Sequence, residues 1–272
     1  MKYKILLAFT CLIFLTVCGG SIADTMPPEM AKNMLKLKGY DFNEKSYFQA
    51  IRNDDISAIK AFFDTEINPN ARSEKGETPL TFAVQNCEFK TVKVLAEKTN
   101  ISEQDKFGQT PLHLALSQNK EEIFDYLLEN GADINIGGAK GTLKNQTVLY
   151  LAVTRGREDL AQKLLERGAN PNIIDSEGGT VLSEACIGAP VNPEIIRMLL
   201  EKGADVNKKE PNGATPLIYI AANKQTTSDK RTAVVKMLLA AGADKKLKDK
   251  DGATALDWAK SVGNTDIVEI LK

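Results

Sequence analysis

His113 is the only histidine of this chain, and Cys87 and Cys186 are the only cysteines outside an apolar leading segment that holds Cys11 and Cys18. These are the residues whose types could do nucleophilic or metal chemistry. A zinc centre takes three or four ligands, commonly Cys and His at short spacing, and one histidine with two distant cysteines does not supply it. A Cys–His nucleophilic pair needs a third group to orient the base, and none is evident. The acidic residues fall mostly at loop and helix-cap positions, so paired-carboxylate chemistry has no specific support. The segment "NIGGAKGTLKN" at 135–145 carries Lys140. It lacks both the preceding strand and the closing Lys-Ser/Thr of a phosphate-cradling loop. The run at 244–252 interleaves Lys245, Lys246, Lys248 and Lys250 with three aspartates, the pattern of a solvated loop tip. The residues therefore predict no catalytic site, no metal and no cofactor.

Composition narrows the partner. With 35 basic and 36 acidic residues the formal charge is −1, and aromatics make up 6%. A chain without a basic field or stacking aromatics is a poor nucleic-acid binder. At 43% hydrophobic and 26% charged it has the composition of a globular protein.

Residues 1–23 read as an export signal. Lys2 and Lys4 precede an apolar run of 14 residues, Ile5 to Cys18, shorter than the roughly 20 residues of a membrane-spanning helix. Ser21 and Ala23 are the small residues expected ahead of a cleavage site before Asp24. A rival reading is the sequence Leu15-Thr-Val-Cys18, which is similar to a bacterial lipoprotein box and would make Cys18 a lipidated first residue. Val17 departs from the Gly, Ala or Ser usual at that position. Both readings carry the chain out of the cytosol. Loss of residues 1–23 removes two lysines and no acids, giving 33 − 36 = −3. No second apolar run of that kind follows, so no transmembrane span is expected.

The elements around His113 recur along the chain. Aligning "GETPLTFAV", "GQTPLHLAL", "NQTVLYLAV", "GGTVLSEAC", "GATPLIYIA" and "GATALDWAK" places Thr78, Thr110, Thr147, Thr180, Thr215 and Thr254 in register, at intervals of 32, 37, 33, 35 and 39 residues. Each unit continues into a second apolar stretch such as "FDYLLENGADIN". In the unit containing His113, Thr110 can cap a helix and Pro111 fits its first position. Leu112, Ala115 and Leu116 recur at helical spacing. Asn119 with Glu122 reads as a capping-box variant opening a second helix, whose buried face is Ile123, Phe124, Leu127 and Leu128. Gly131 supplies a left-handed ending. A helix pair of this kind cannot bury both faces alone, so the units must stack.

The residues Gly-x-Thr-Pro-Leu-His-x-Ala and Leu-Leu-x-x-Gly-Ala-Asp-x-Asn resemble the ankyrin repeat, over about residues 76 to 272. The resemblance implies an all-α solenoid of stacked helix pairs with extended hairpin fingers, about seven repeats counting degenerate ends. The repeats fall near 43–75, 76–107, 108–145, 146–177, 178–212, 213–251 and 252–272. The first of these lacks the Thr-Pro-Leu entry but keeps a second-helix pattern in Ile56, Ile59, Phe62 and Phe63. Within 24–42, residues 27–39 form an expected capping helix with Met30, Met34 and Leu37 on its covered side. The last unit, with Trp258 and Ile267, stops after its second helix at Lys272, leaving no room for an appended catalytic domain. Stacking at roughly 10 Å per repeat puts Cys87 and Cys186, three repeats apart, beyond the roughly 7 Å limit of a disulfide.

In this frame Thr78, Pro79, Thr110, Pro111, His113, Thr147, Thr180, Thr215, Pro216 and Thr254 are structural, with His113 bonding to its Thr side chain and adjacent backbone. Thr81, Tyr150, Ser183, Ile218 and Asp257 occupy the histidine's place elsewhere. The resemblance also implies protein binding through finger tips and the exposed side of the first helices. At the tips these positions are Glu74, Lys75 and Glu77, Lys106, Phe107 and Gln109, Leu143, Lys144 and Gln146, Ser176 and Glu177, and Pro211 and Asn212. On the first helices they are Gln85 and Asn86, Ser117 and Gln118, Thr154 and Arg155, and Ala222 and Asn223. Phe107 is an aromatic at a normally polar tip and reads either as a binding anchor or as a ring folded onto its own finger. The lengthened turns "IGAPVNPE" and "AANKQTTSDKRTA" read either as a second contact surface or as tolerated loop growth, and Ile220 replaces a small alanine. Three functions follow: an exported monomeric protein-binding module, the same stack tethered by lipid at Cys18, or an enzyme using His113 or a cysteine.

Overall fold

The computed structural model describes residues 25–138, 145–188 and 191–272. Within them the chain is all-α, with fifteen helices and no strand beyond a single bridge between Ile174 and Thr180. Helix α1 (Pro28–Leu37) is followed by seven consecutive pairs. These are α2 (Glu44–Arg52) with α3 (Ile56–Phe63), α4 (Pro79–Asn86) with α5 (Phe89–Ala96), α6 (Pro111–Ser117) with α7 (Glu121–Glu129), and α8 (Val148–Thr154) with α9 (Glu158–Glu166). Then come α10 (Val181–Ile187) with α11 (Pro193–Glu201), α12 (Pro216–Ala222) with α13 (Ser228–Ala240), and α14 (Ala255–Val262) with α15 (Thr265–Leu271). Each helix packs on its own partner and on its equivalents in the flanking pairs, so the core runs the length of the stack.

The first helices start where a hydroxyl can cap them. Thr78, Thr110, Thr147, Thr180, Thr215 and Thr254 each accept the backbone N–H of the residue three positions on. Such a bond satisfies one of the orphan donors of a helix start and contributes about 1 kcal/mol. In α2, which lacks the threonine, Asn43 does the same through Oδ1 to Ser46 N at 2.8 Å. Two residues into the next five first helices stand Leu80, Leu112, Leu149, Leu182 and Leu217, all fully buried. Each contributes roughly 1.5–3 kcal/mol from apolar burial. Leu256, the equivalent residue of α14, is only half-buried.

A polar ladder runs alongside this core. Asn70 Oδ1 accepts Asn100 N (2.7 Å), Asn135 Oδ1 accepts Asn170 N (2.8 Å), Asn172 Oδ1 accepts Asp205 N (2.8 Å) and Asn207 Oδ1 accepts Asp244 N (2.8 Å). Each bond joins one repeat to the next at the foot of a finger. A left-handed glycine precedes most rungs, as Gly131 does at φ 83°.

Three expectations are corrected. The second helix after His113 is not opened by an Asn119 capping box. Asn119 takes φ 55°, Lys120 is the N-cap without a side-chain cap bond, and Asn119 Oδ1 instead accepts Arg157 Nη1 from the next repeat. Helix α1 is seated by Ala31, Leu35 and half-buried Met34, while Leu37 is 72% exposed. The covered stripe is rotated toward Leu35, α1 packs on α3, and Lys38 pairs with Asp55 at 2.9 Å beside that contact. Asn223, expected on the exposed side of its helix, is buried, and its amide donates to the carbonyls of Cys186 (3.1 Å) and Ile187 (3.3 Å).

Candidate partner-binding surface

Aspartates build the finger tips. Asp105 Oδ1 accepts the N–H groups of Phe107 (2.8 Å) and Gln109 (2.9 Å), closing a tight loop. Asp175 does the same for Glu177 and Gly179, and Asp249 for Asp251 and Ala253. Neighbouring tips are tied by backbone bonds, Lys106 N to Gly76 O and Lys250 N to Asn212 O, both 2.9 Å. At Gly213, with φ 80°, a Cβ would stand 2.7 Å from Lys250 N, so only glycine permits that approach. The tips are thus fixed platforms for the side chains they carry.

On the Asp105 platform Phe107 is 54% exposed, with Lys106 Nζ 4.9 Å from its ring centroid. The ring meets a cation of its own finger yet keeps most of its area in water. Lys106, Glu177, Asn86, Ser117, Gln118, Thr154 and Arg155 are also exposed, while Glu77, Gln85, Gln109 and Gln146 are half-buried. Leu143 and Lys144 lie outside the described residues, as do Cys18 and the whole of 1–23. Glu77 is held by Ser73 Oγ at 2.8 Å, and Arg155 Nη1 donates to Leu116 O at 3.3 Å.

His113 faces inward. Its side chain is 1% exposed, with Nδ1 2.7 Å from Thr110 Oγ1 and Nε2 3.0 Å from the carbonyl of Gln146 in the next repeat. A carbonyl only accepts, so Nε2 carries the proton and Nδ1 accepts from Thr110. Burial lowers the imidazole pKa below its usual value, against the opposing pull of the Gln146 bond. With both nitrogens engaged and no open face, the ring cannot reach a substrate.

The thiols are also turned inward, Cys186 buried and Cys87 half-buried. Burial pushes Cys87 up to about 12, with Asp54 adding to the shift, and its Sγ–H points at the Ile51 carbonyl at 3.2 Å. Cys186 is fully buried and likewise raised. Both are free thiols.

Two features of this surface were not anticipated from sequence. Glu184 and Glu210, both in the unit at 178–212, accept tyrosine hydroxyls, from Tyr150 at 3.1 Å and Tyr219 at 2.6 Å. Burial and the neighbouring carboxylates raise both phenols, Tyr219 to about 12. The signal was Glu184 itself, standing where sister repeats carry Phe82, Leu114 and Leu151. The second is the way the lengthened turn at 222–231 is held. Arg231 is buried within it, donating to Asn223 O (3.1 Å) and Thr226 O (3.0 Å) and to both oxygens of Asp266 (3.0 Å). The insertion is drawn against the last repeat, and α13 gains an extra turn, reaching 13 residues.

Stacked helix pairs joined by rigid, side-chain-bearing fingers define a repeat solenoid whose side chains are spent on stacking and display. The family model "Ankyrin repeats (3 copies)" matches residues 47–138, 137–210 and 191–272. The chain belongs to the ankyrin-repeat family, whose repeats imply a protein-interaction module that is usually non-enzymatic. It is 40% identical over 79 residues to Ankyrin repeat domain-containing protein 53 of Mus musculus, a match covering 25% of this chain and 16% of that protein. It is 30% identical over 91 residues to Alpha-latrocrustotoxin-Lt1a of Latrodectus tredecimguttatus, covering 33% and 6%. A Borreliella burgdorferi protein described as an ankyrin repeat protein is 24% identical over 121 residues, covering 40% and 53%. The matches thus span about half of that bacterial relative and far less of the other two. Among the described residues no helix is long and apolar enough to cross a membrane.

Proposed function

We propose that this chain is an exported, monomeric, cofactor-free module that binds another protein through its finger tips and the exposed side of its first helices. The observation that carries the reading is Phe107, half exposed on a tip that Asp105 holds rigid. Aromatic anchors ringed by polar groups concentrate interface energy, and a fixed platform lowers the ordering cost of binding. Export rests on the leading segment, with Ser21 and Ala23 ahead of Asp24; the sequence Leu15 to Cys18 supports a bacterial lipid-tethered form of the same module. Capture from envelope or host extract, identified by mass spectrometry, is expected to fall with Phe107→Ala while the thermal midpoint stays unchanged. Capture indifferent to Phe107 and the other finger residues would remove the groove assignment. The intact mass of the exported chain separates a start at Asp24 from a lipid adduct on Cys18, and an uncleaved chain would refute export.

A further inference from the structure

Among the described residues, the carbonyls that end a first helix are reached by a side chain of the next unit at four of the five junctions between α4 and α14. Lys120 Nζ donates to Val84 O and Gln85 O, Arg155 Nη1 to Leu116 O, Asn223 Nδ2 to Cys186 O and Ile187 O, and Asn264 Nδ2 to Ala221 O. Such bonds occupy carbonyls that a helix end leaves without an intrahelical donor. The junction between α8 and α10 differs. Its equivalent carbonyl is that of Val153, six residues after Thr147 as Leu116 is after Thr110. Residues 187–191, Ile-Gly-Ala-Pro-Val, hold no side-chain donor, and Gly188 stands at the register of Arg155 and Asn223. Among the described residues Val153 O takes one bond, from Gly156 N at 2.9 Å, whereas a carbonyl offers two lone pairs.

A cleft of about 440 Å³ opens at this junction. Val153 and Thr154 line it from the end of α8, Gly188 from the end of α10, and Val191 and Ile195 from across the turn. Thr154 and Arg155 belong to the first-helix surface proposed above, so the role of the cleft rests on that reading. Backbone strain does not demand glycine at 188. Its φ is −53°, and a Cβ there would meet only Glu184 O, at 3.3 Å. The charged residues at the cleft are Arg155, Glu184 and Lys230. Two cations against one carboxylate disfavour a third cation. An anion inside would face the Val153 carbonyl and the Glu184 carboxylate, both acceptors. Arg155 is meanwhile turned to Leu116 O, and Lys230 is exposed. Asn192 also borders the cleft, but its amide is spent on Glu158 at 3.0 Å. What fits is an uncharged N–H donor with an apolar flank, the chemistry that Asn223 and Asn264 supply at the next two junctions.

We infer that this cleft receives a carboxamide side chain, asparagine or glutamine, of the partner protein, which supplies the donor that Gly188 omits. The test is selection of a random heptapeptide library, displayed on phage, against the full chain after depletion on Gly188→Asn, which restores a donor from within. Gly188→Asn is expected to raise the urea midpoint with native circular dichroism. The recovered peptides are expected to share one Asn or Gln beside an apolar residue. Synthetic copies are expected to shift the amide signals of Gly156 and Gly188 in the wild-type chain. Read by fluorescence anisotropy, they are expected to weaken about tenfold when the shared residue becomes Leu, Asp or Lys. These peptide substitutions leave the chain unaltered, so they decide the matter even where Gly188→Asn does not fold. A shared acidic or basic residue, tolerance of Leu at the shared position, or no peptide that shifts Gly156 and Gly188 would overturn the assignment. If that happens while capture still depends on Phe107, only the cleft assignment falls. If the peptides behave as expected while capture ignores Phe107, the finger reading falls and the cleft stands.

Discussion

The imidazole of His113 binds the backbone carbonyl of Gln146, 33 residues ahead, across the boundary between two repeats. One side chain therefore fixes both the start of its own helix, through Thr110, and the foot of the next finger. Removing it takes away one of the two donors to the Gln146 carbonyl, which Gly138 N also serves at 2.9 Å, and leaves a small void. His113→Ala is expected to destabilise the stack by about 1–3 kcal/mol, the cost of a lost buried hydrogen bond and of the void. A urea titration reads this as a lower midpoint, and partner capture by the folded fraction is expected to be unchanged. A variant of wild-type stability that has lost capture would place His113 in recognition instead.

The same ring makes stability depend on pH. Because burial lowers its pKa in the folded chain, the unfolded chain binds the proton more readily. The contribution of neutral His113 is full above the unfolded value of about 6.5 and is lost as pH falls below it. Asp266, whose pKa is lowered in the folded chain by its hydrogen bonds from Arg231 and Ser228 against an opposing burial effect, acts in a separate window. Its contribution is present above the unfolded carboxylate value of about 4 and fades below it. Unfolding midpoints measured between these two values should fall relative to neutral pH, and His113→Gln should flatten that part of the curve. An unchanged slope in His113→Gln would assign the effect elsewhere.

Much of this architecture was legible in the sequence, because stacking imposes the same residue at the same register in every unit. Threonine caps, the buried leucines and the glycines before the asparagine ladder repeat, and repetition identifies them. What was illegible occurs once. Leu37 has helical spacing with Met30 and Met34, yet the surface beneath α1 selects Leu35. Asn223 sits at a nominally exposed register, but the inserted turn folds over it. Glu184 replaces a hydrophobe at one repeat only, so no pattern announces its bond to Tyr150. Single departures are also where a partner would discriminate this chain from its relatives.

The thiols offer a check on the packing. Burial raises both Cys87 and Cys186, and reactive cysteines need the opposite, an exposed thiolate. Neither is expected to react with a thiol-specific reagent at neutral pH on the timescale of minutes, and both should react in denaturant. Rapid modification of Cys87 in the native chain would mean that the α4–α5 turn opens away from the Ile51 carbonyl.

Arg231 and Asp266 make the last repeat depend on the insertion before it. The inner repeats pack on a neighbour on each side, whereas among the described residues α14 and α15 pack on α12 and α13 alone. There Arg231 meets both carboxylate oxygens of Asp266 at 3.0 Å, Ser228 Oγ adds a bond at 2.8 Å, and Asn264 donates to Ala221 O at 2.8 Å. Breaking one partner of a buried pair costs about 3–5 kcal/mol. Asp266 keeps 22% of its side-chain surface in water, so Asp266→Asn is expected to cost less, about 2 kcal/mol. Because repeats communicate only with neighbours, the loss should be local. Amide exchange should accelerate across α14 and α15 while α6 to α9 keep their protection. Uniform acceleration along the stack would show that the insertion holds no separate end, and no acceleration would show that apolar contacts of Ile267 and Leu271 suffice.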